Sequence, residues 1–151
     1  MLLSVLAASK PDGRIAEIGT AFGEGAKAIA ESLGPGATFV TVEPDAERYA
    51  QAVSVLAGTR AKVLNAKWED VRPQRAPFDL IFFDGCTRAE TLNLAIELLA
   101  PGGVLIKDDL TPGAPIEGDA VREAFLADGR LAGVELVARA DMAIIIATRR
   151  T

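Results

Sequence analysis

The sequence predicts a Rossmann-like three-layer α/β sandwich: a mostly parallel seven-stranded sheet, helices on both faces, and an antiparallel strand pair at the C-terminal end. Three observations lead there. Short apolar runs alternate with segments of helical period from Arg14 to Leu110. Glycine or Pro-Gly punctuates the junctions, as at Gly19, Gly34-Pro35-Gly36 and Pro101-Gly102-Gly103. Beyond Gly118 the alternation stops, and two strand-like runs lie close enough for a hairpin. No internal repeat, low-complexity tract or linker divides the 151 residues, a length that suits one domain spanning 1–151.

Leu2–Ala8 reads as one short helix that ends before Lys10-Pro11; no basic stretch precedes it, so no signal peptide is expected. Arg14–Ile18, closed by Gly19, reads as a strand. In Glu24–Leu33, residues Ala26, Ile29, Ala30 and Leu33 fall at i, i+3, i+4 and i+7, one face of a helix. Thr38–Val42 is the next β-branched run. Ala46–Leu56 then repeats the helical spacing at Tyr49, Ala52, Val53 and Leu56. Ala61–Leu64 is a third, shorter strand. Phe78–Phe83 is nearly all apolar, as a strand buried on both faces of a parallel sheet must be. Arg88–Leu99 carries Leu92, Ala95, Ile96 and Leu99 on one helical face, and Pro101-Gly102-Gly103 closes it before the strand Val104–Ile106. After a loop at Thr111–Gly118 come a helix near Ala120–Leu126 and two strands, Val134–Ala138 and Met142–Thr148, turned at Arg139 to Asp141. Crossovers are expected to be right-handed.

Composition removes several classes of function. Histidine is absent, which excludes imidazole bases, Ser-His-Asp triads and histidine zinc sites. The single cysteine, Cys86, leaves no disulfide framework and suits a reducing, cytoplasmic setting. A net charge of −5 argues against nucleic acid as a partner. No apolar run reaches the roughly 18 residues of a membrane span, so no membrane partner is expected either.

In open α/β sheets ligands lie beyond the carboxyl ends of the strands, and chemistry is sought there. The first strand runs into Glu17-Ile18-Gly19-Thr20-Ala21-Phe22-Gly23-Glu24-Gly25. The glycines follow G-x-x-x-G-x-G, not the G-x-G-x-x-G of dinucleotide pyrophosphate sites, and serve either a ligand or a tight strand-to-helix turn. The second strand ends in Glu43, which can accept both hydroxyls of a ribose; otherwise it is a solvated carboxylate beside Asp45, the cap of the next helix. Lys67 and Trp68 follow the third strand, where Trp68 either covers a purine face or anchors the core. The fourth strand ends in Asp84 and the fifth in Asp108-Asp109. Adjacent strands are about 4.8 Å apart, so these carboxylates can converge. Hard oxygen donors without histidine suit Mg²⁺, Mn²⁺ or Ca²⁺; the alternative is that they cap loops by accepting backbone N–H bonds.

Taken together, these residues resemble a class I S-adenosylmethionine-dependent methyltransferase. Glu17-Ile18-Gly19-Thr20 with Gly23 and Gly25 is similar to the first cofactor motif of that superfamily, and Glu43 matches its ribose-binding acid. Phe78-Asp79-Leu80-Ile81-Phe82-Phe83-Asp84-Gly85 and Leu99-Ala100-Pro101-Gly102-Gly103-Val104-Leu105-Ile106 resemble its fourth- and fifth-strand motifs. The resemblance runs from about Arg14 to Leu110 and is strongest to the small cation-dependent O-methyltransferases of the catechol and caffeoyl-CoA type. It implies S-adenosylmethionine as cofactor, with Glu17, Gly19 and Gly25 around the methionine part, Glu43 at the ribose, Lys67 and Trp68 at the adenine edge, and Thr20, Ala21, Gly23 and Asp84 among the cofactor-binding residues. It also implies that Asp84, Asp108 and Asp109 are metal ligands, with Asp84 catalytic between cofactor and cation.

The chain departs from that pattern in three places. The family's Asp-Asn pair is Asp108-Asp109 here, which adds a carboxylate. The family's lysine base, three residues past the first metal aspartate, is Thr87. Lys107 precedes the acidic pair, but in an extended strand its side chain is expected to point away from that of Asp108. Relatives also carry several helices ahead of the first motif, where this chain has about a dozen residues. The expected function is therefore methyl transfer to a small hydroxylated acceptor, with an open acceptor pocket or one completed in a homodimer. The alternatives are a catalytically degenerate cofactor-binding module and an NAD-dependent oxidoreductase, the latter disfavoured by the glycine spacing. The Thr111–Gly118 loop either lines the acceptor side or is a proline-stiffened surface loop.

Overall fold

The computed structural model describes residues 2–70, 77–85 and 88–151; Cys86 and Thr87, and what was read into them, lie outside these. The elements are α1 (Leu2–Ala8), β1 (Arg14–Ile18), α2 (Glu24–Ala30), β2 (Thr38–Val42), α3 (Ala46–Val55), β3 (Ala61–Leu64), β4 (Phe78–Phe83), α4 (Ala89–Leu98), β5 (Leu99–Leu110), α5 (Ala120–Arg122), β6 (Leu131–Arg139) and β7 (Met142–Arg149). Among the described residues one sheet holds seven strands in the order β3-β2-β1-β4-β5-β7-β6. The first five are parallel, and β7 runs antiparallel to both β5 and β6. Strand order reverses between β1 and β4, so the ligand crevice of such a sheet falls at their carboxyl ends.

Alternation along the strands divides the core between the two faces. On one face, Ala7 of α1, Ala26 and Ile29 of α2 and Leu56 after α3 pack on Ile15, Phe39, Leu80, Phe82 and Ile106. On the other, Leu92, Ala95 and Ile96 of α4 with Phe125 pack on Ala16, Val40, Ile81, Phe83 and Ile145. Among the described residues no helix is long and apolar enough to cross a membrane.

Four elements differ from the periodic reading, among them β6, which begins at Leu131 and not at Val134. Helix α2 stops at Ala30, short of Leu33, where the Ser32 N–H turns to the Ile29 carbonyl (3.0 Å) in a tighter last turn, and the carbonyls of Leu33 and Gly34 beyond it accept from the Arg60 guanidinium (2.7 Å). The fifth strand begins at Leu99, not Val104, and carries Pro101-Gly102-Gly103 inside it. Between the pairs Phe78↔Leu99 and Leu80↔Val104, β4 advances two residues and β5 five, so the Pro-Gly-Gly segment is a bulge in a strand and not a stop before one. The last helix keeps α-helical hydrogen bonding only over Ala120–Arg122 and then widens into a π turn at Glu123–Ala127. Its Arg122 is 1% exposed and bonded to Asp119 (2.6 Å), Glu135 (2.7 Å) and the carbonyl of Thr111 (2.6 Å). A guanidinium this deep is tolerable only with such partners, and it ties the loop after β5 to β6.

Candidate cofactor and acceptor site

A cavity of about 220 Å³ opens at the switch point. Its wall takes Ile18 at the end of β1, Gly19 and Ala21 after it, Glu43 after β2, Lys67 and Trp68 after β3, and Asp84 after β4. The sequence reading therefore brought six of its proposed cofactor residues to one wall: Gly19, Ala21, Glu43, Lys67, Trp68 and Asp84. Glu17, Thr20, Gly23 and Gly25 stand outside the lining and shape it from outside.

Gly19 is the tightest point. Its φ is +94°, and a Cβ there would lie 2.3 Å from the Asp84 carbonyl oxygen, so the β1 loop and the end of β4 touch backbone to backbone. Its N–H and that of Thr20 both donate to the carbonyl of Val42 (3.1 and 3.0 Å), which fastens the loop to β2. Gly25 has a different reason to be glycine: a Cβ would come within 2.7 Å of Glu17 Oε1 and 2.9 Å of the Phe82 ring.

Glu43 is not the solvated carboxylate of the simpler reading. It is 4% exposed, with Oε2 accepting from the Ala21 N–H (2.9 Å) and Oε1 from the Asp45 N–H (3.0 Å). Each carboxylate oxygen keeps a second acceptor site, so a held, preorganised carboxylate faces the cavity. Ala21 reaches it with a φ of +46°, a strained value for a residue with a Cβ. Asp45 caps α3 as expected, accepting from the Arg48 N–H at 2.9 Å. Trp68 anchors the core, as one of its two readings had it: it is 2% exposed and packs, tilted, against Phe78 with ring centroids 5.6 Å apart, and it also lines the cavity. Its indole N–H has no hydrogen-bond partner among the described residues.

Glu17 lies buried below the loop at 1% exposure. The Thr41 hydroxyl donates to its Oε2 (2.5 Å), and Thr20 and Thr41 hydroxyl oxygens are 2.5 Å apart. Glu17, Thr41 and Thr20 thus form one buried chain of short hydrogen bonds. Burial pushes the Glu17 carboxyl up to about 8, against the Thr41 bond, with the charges of Asp84 and Asp108 adding to the rise. The folded chain thus holds a proton that the unfolded chain releases above about 4.5. Stability is expected to fall as pH rises through that window and to level off near 8, at about 1.4 kcal/mol per pH unit for one proton. Urea unfolding of the parent and of Glu17→Gln between about pH 6.5 and 8 reads this slope as the difference between the two chains, because the raised Asp84 and Asp108 are common to both.

At the other end, carboxylate oxygens of Asp84, Asp108 and Asp109 lie within 4.8 Å of one another. Burial, then the Asp108 charge, pushes Asp84 up to about 6. Asp108 is raised too, first by burial, with Asp109 adding and Lys107 opposing. Asp109 has a φ of +55°, which turns the strand end so that consecutive aspartates share one site. The donor set is hard, acidic and free of nitrogen or sulfur, and Asp108 Oδ1 is a buried oxygen without a hydrogen-bond partner. These residues fit a divalent cation. Lys107 departs from its expected direction. It is 7% exposed, and its Nζ folds back to donate to the Asp108 carbonyl (2.5 Å), 3.7 Å from Asp108 Oδ1. A four-carbon stem can turn round a strand whose register with β7 shifts between Lys107 and Leu110.

Sequence reasoning missed Arg48, Glu69, Arg88 and Thr91 on the cavity wall. Glu69 Oε1 accepts from the Thr91 hydroxyl (2.6 Å) and from Arg88 (3.0 Å), and Arg48 stands 6.0 Å over the Phe22 ring. These contacts join segments distant in sequence, and no local spacing marks them.

Comparison with known proteins agrees with this geometry. A family model described as a methyltransferase domain matches residues 16–110. No curated protein matches. Among solved structures, the O-methyltransferase from Bacillus cereus in complex with SAH superposes with a TM-score of 0.80 at 22% identity, covering 99% of this chain and 79% of that one. Cofactor-bound Rv0187 from MTB gives 0.80 at 26% identity, with 99% and 78% coverage. The O-methyltransferase TomG from Streptomyces achromogenes, in complex with SAM, gives 0.74 at 24% identity, again with 99% and 78% coverage. The chain belongs to the methyltransferase-domain family and has the fold of the O-methyltransferases on which it superposes.

Proposed function

We propose that this chain transfers the methyl group of S-adenosylmethionine to the oxygen of a small hydroxylated acceptor. The observation that carries the reading is that Asp84 belongs both to the cavity floored by Glu43 and to the acidic trio, so cofactor and acceptor meet at one carboxylate. The sulfonium donor supplies an already activated methyl: the acceptor oxygen bonds to carbon as the carbon–sulfur bond breaks, its pair returns to sulfur, and the hydroxyl proton passes to the Asp84 carboxylate or to water. The protein's task is then alignment. Glu43 accepts the two ribose hydroxyls on the lone pairs its backbone partners leave free. Trp68 and Lys67 border the adenine. Gly19 lets the β1 loop come close to the methionine part. Asp84, Asp108 and Asp109 hold the acceptor side and would hold Mg²⁺ or a similar cation, which supplies Lewis acidity toward an acceptor hydroxyl when bound.

A second reading, a cofactor-binding module without turnover, is favoured by Thr87 standing where the resembling family has its lysine base. One titration and one assay separate them. Calorimetry with S-adenosylhomocysteine is expected to give micromolar binding, and NAD none. Mass spectrometry of hydroxylated acceptors incubated with methyl-labelled cofactor is expected to show one added methyl. Binding without any methylated product supports the module, and no binding of the homocysteine product sinks both readings.

A further inference from the structure

We infer that Lys107 is a built-in cation of the acidic trio and sets how strongly a divalent ion can bind there. The inference rests on the trio serving as the acceptor side of the site, but not on turnover. Lys107 lies in β5 between the register partners Phe83 and Ile145, a place where an ammonium is stable only against opposite charge. Its ion-pair partner among the described residues is Asp108, at 3.7 Å from Oδ1, and its positive charge also opposes the rise of Asp84. The ammonium therefore pairs with Asp108, and its field reaches Asp84.

That distance is too long for a hydrogen bond, so Asp108 Oδ1 is charge-compensated yet unbonded. A divalent ion on that oxygen, at an ordinary oxygen–metal distance, would lie no farther than about 6 Å from the ammonium, in a half-buried site where screening is weak. The two cations compete for the same carboxylates. Asp109 in place of the resembling family's asparagine adds negative charge, and Lys107 offsets it. The trio is then balanced by a tethered cation, and Mg²⁺ is a weak second occupant.

Calorimetric titration of Mg²⁺ and of Mn²⁺ into the full chain, without acceptor, tests this. Lys107→Met is expected to tighten both ions at least tenfold over the unaltered chain, and Lys107→Arg, which keeps the charge, to leave affinity within about threefold. Asp108→Asn in the Lys107→Met background is expected to abolish the gain. S-adenosylhomocysteine binding by each variant reports that the fold is intact. That readout also separates failure of the cofactor reading from failure of this one. Equal or weaker metal binding in Lys107→Met, or no binding in either chain, overturns the proposal.

Discussion

Glu43→Ala is expected to weaken S-adenosylhomocysteine binding about a hundredfold or more and to lower stability by about 2 kcal/mol. Two effects combine. The ribose hydroxyls lose a charged acceptor, worth roughly 1.5–3 kcal/mol per hydrogen bond. The N–H groups of Ala21 and Asp45 lose their partner as well, so the loop after β1 and the start of α3 are released together. Glu43→Gln keeps one carbonyl acceptor and loses the charge, and is expected to fall between the two. Calorimetry and thermal melting of the three chains measure both parts. An alanine variant that binds like the parent would remove Glu43 from the cofactor site.

Gly19→Ala is expected to be the most disruptive single substitution in the cavity wall. The added methyl would sit 2.3 Å from the Asp84 carbonyl oxygen and 3.2 Å from Gly85 Cα, both backbone atoms, on a residue whose φ of +94° already disfavours a side chain. Strain and overpacking together amount to roughly 3–5 kcal/mol, a large share of a domain's stability. Gly58→Ala is the matched control: its φ is +80° with nothing within 4 Å of the new methyl, so only the backbone term applies, about 1 kcal/mol. Urea unfolding of both variants separates clash from backbone preference. Equal losses at the two positions would mean that the close approach of β1 to β4 is softer than described.

The strands at the site were legible because parallel-sheet burial writes itself as short apolar runs. Arg14–Ile18, Thr38–Val42, Ala61–Leu64 and Phe78–Phe83 are bounded as their composition indicates, and each delivers a chemistry-bearing residue at its carboxyl end. Glu43 could be placed by that rule alone. What the pattern concealed is tertiary. The Pro-Gly-Gly bulge in β5 looks like a helix stop because proline and glycine punctuate both. Arg48, Glu69, Arg88 and Thr91 reach the cavity through contacts across helices, which leave no period in the chain. Lys107 was assigned to the far side of its strand by pleat alternation. The pleat fixes where Cβ points, not where a flexible stem ends.

Among the described residues, the two left-handed ones that are not glycine, Ala21 and Asp109, stand at opposite ends of the same site, one handing its N–H to Glu43 and one turning a carboxylate into the acidic trio. Each holds backbone energy that glycine would relieve, and each holds it where ligands are gripped. Selection for heat resistance and selection for turnover therefore pull these positions in opposite directions. A laboratory lineage evolved only for robustness would drift toward a sturdier chain with a slacker grip, and would do so first at these two codons.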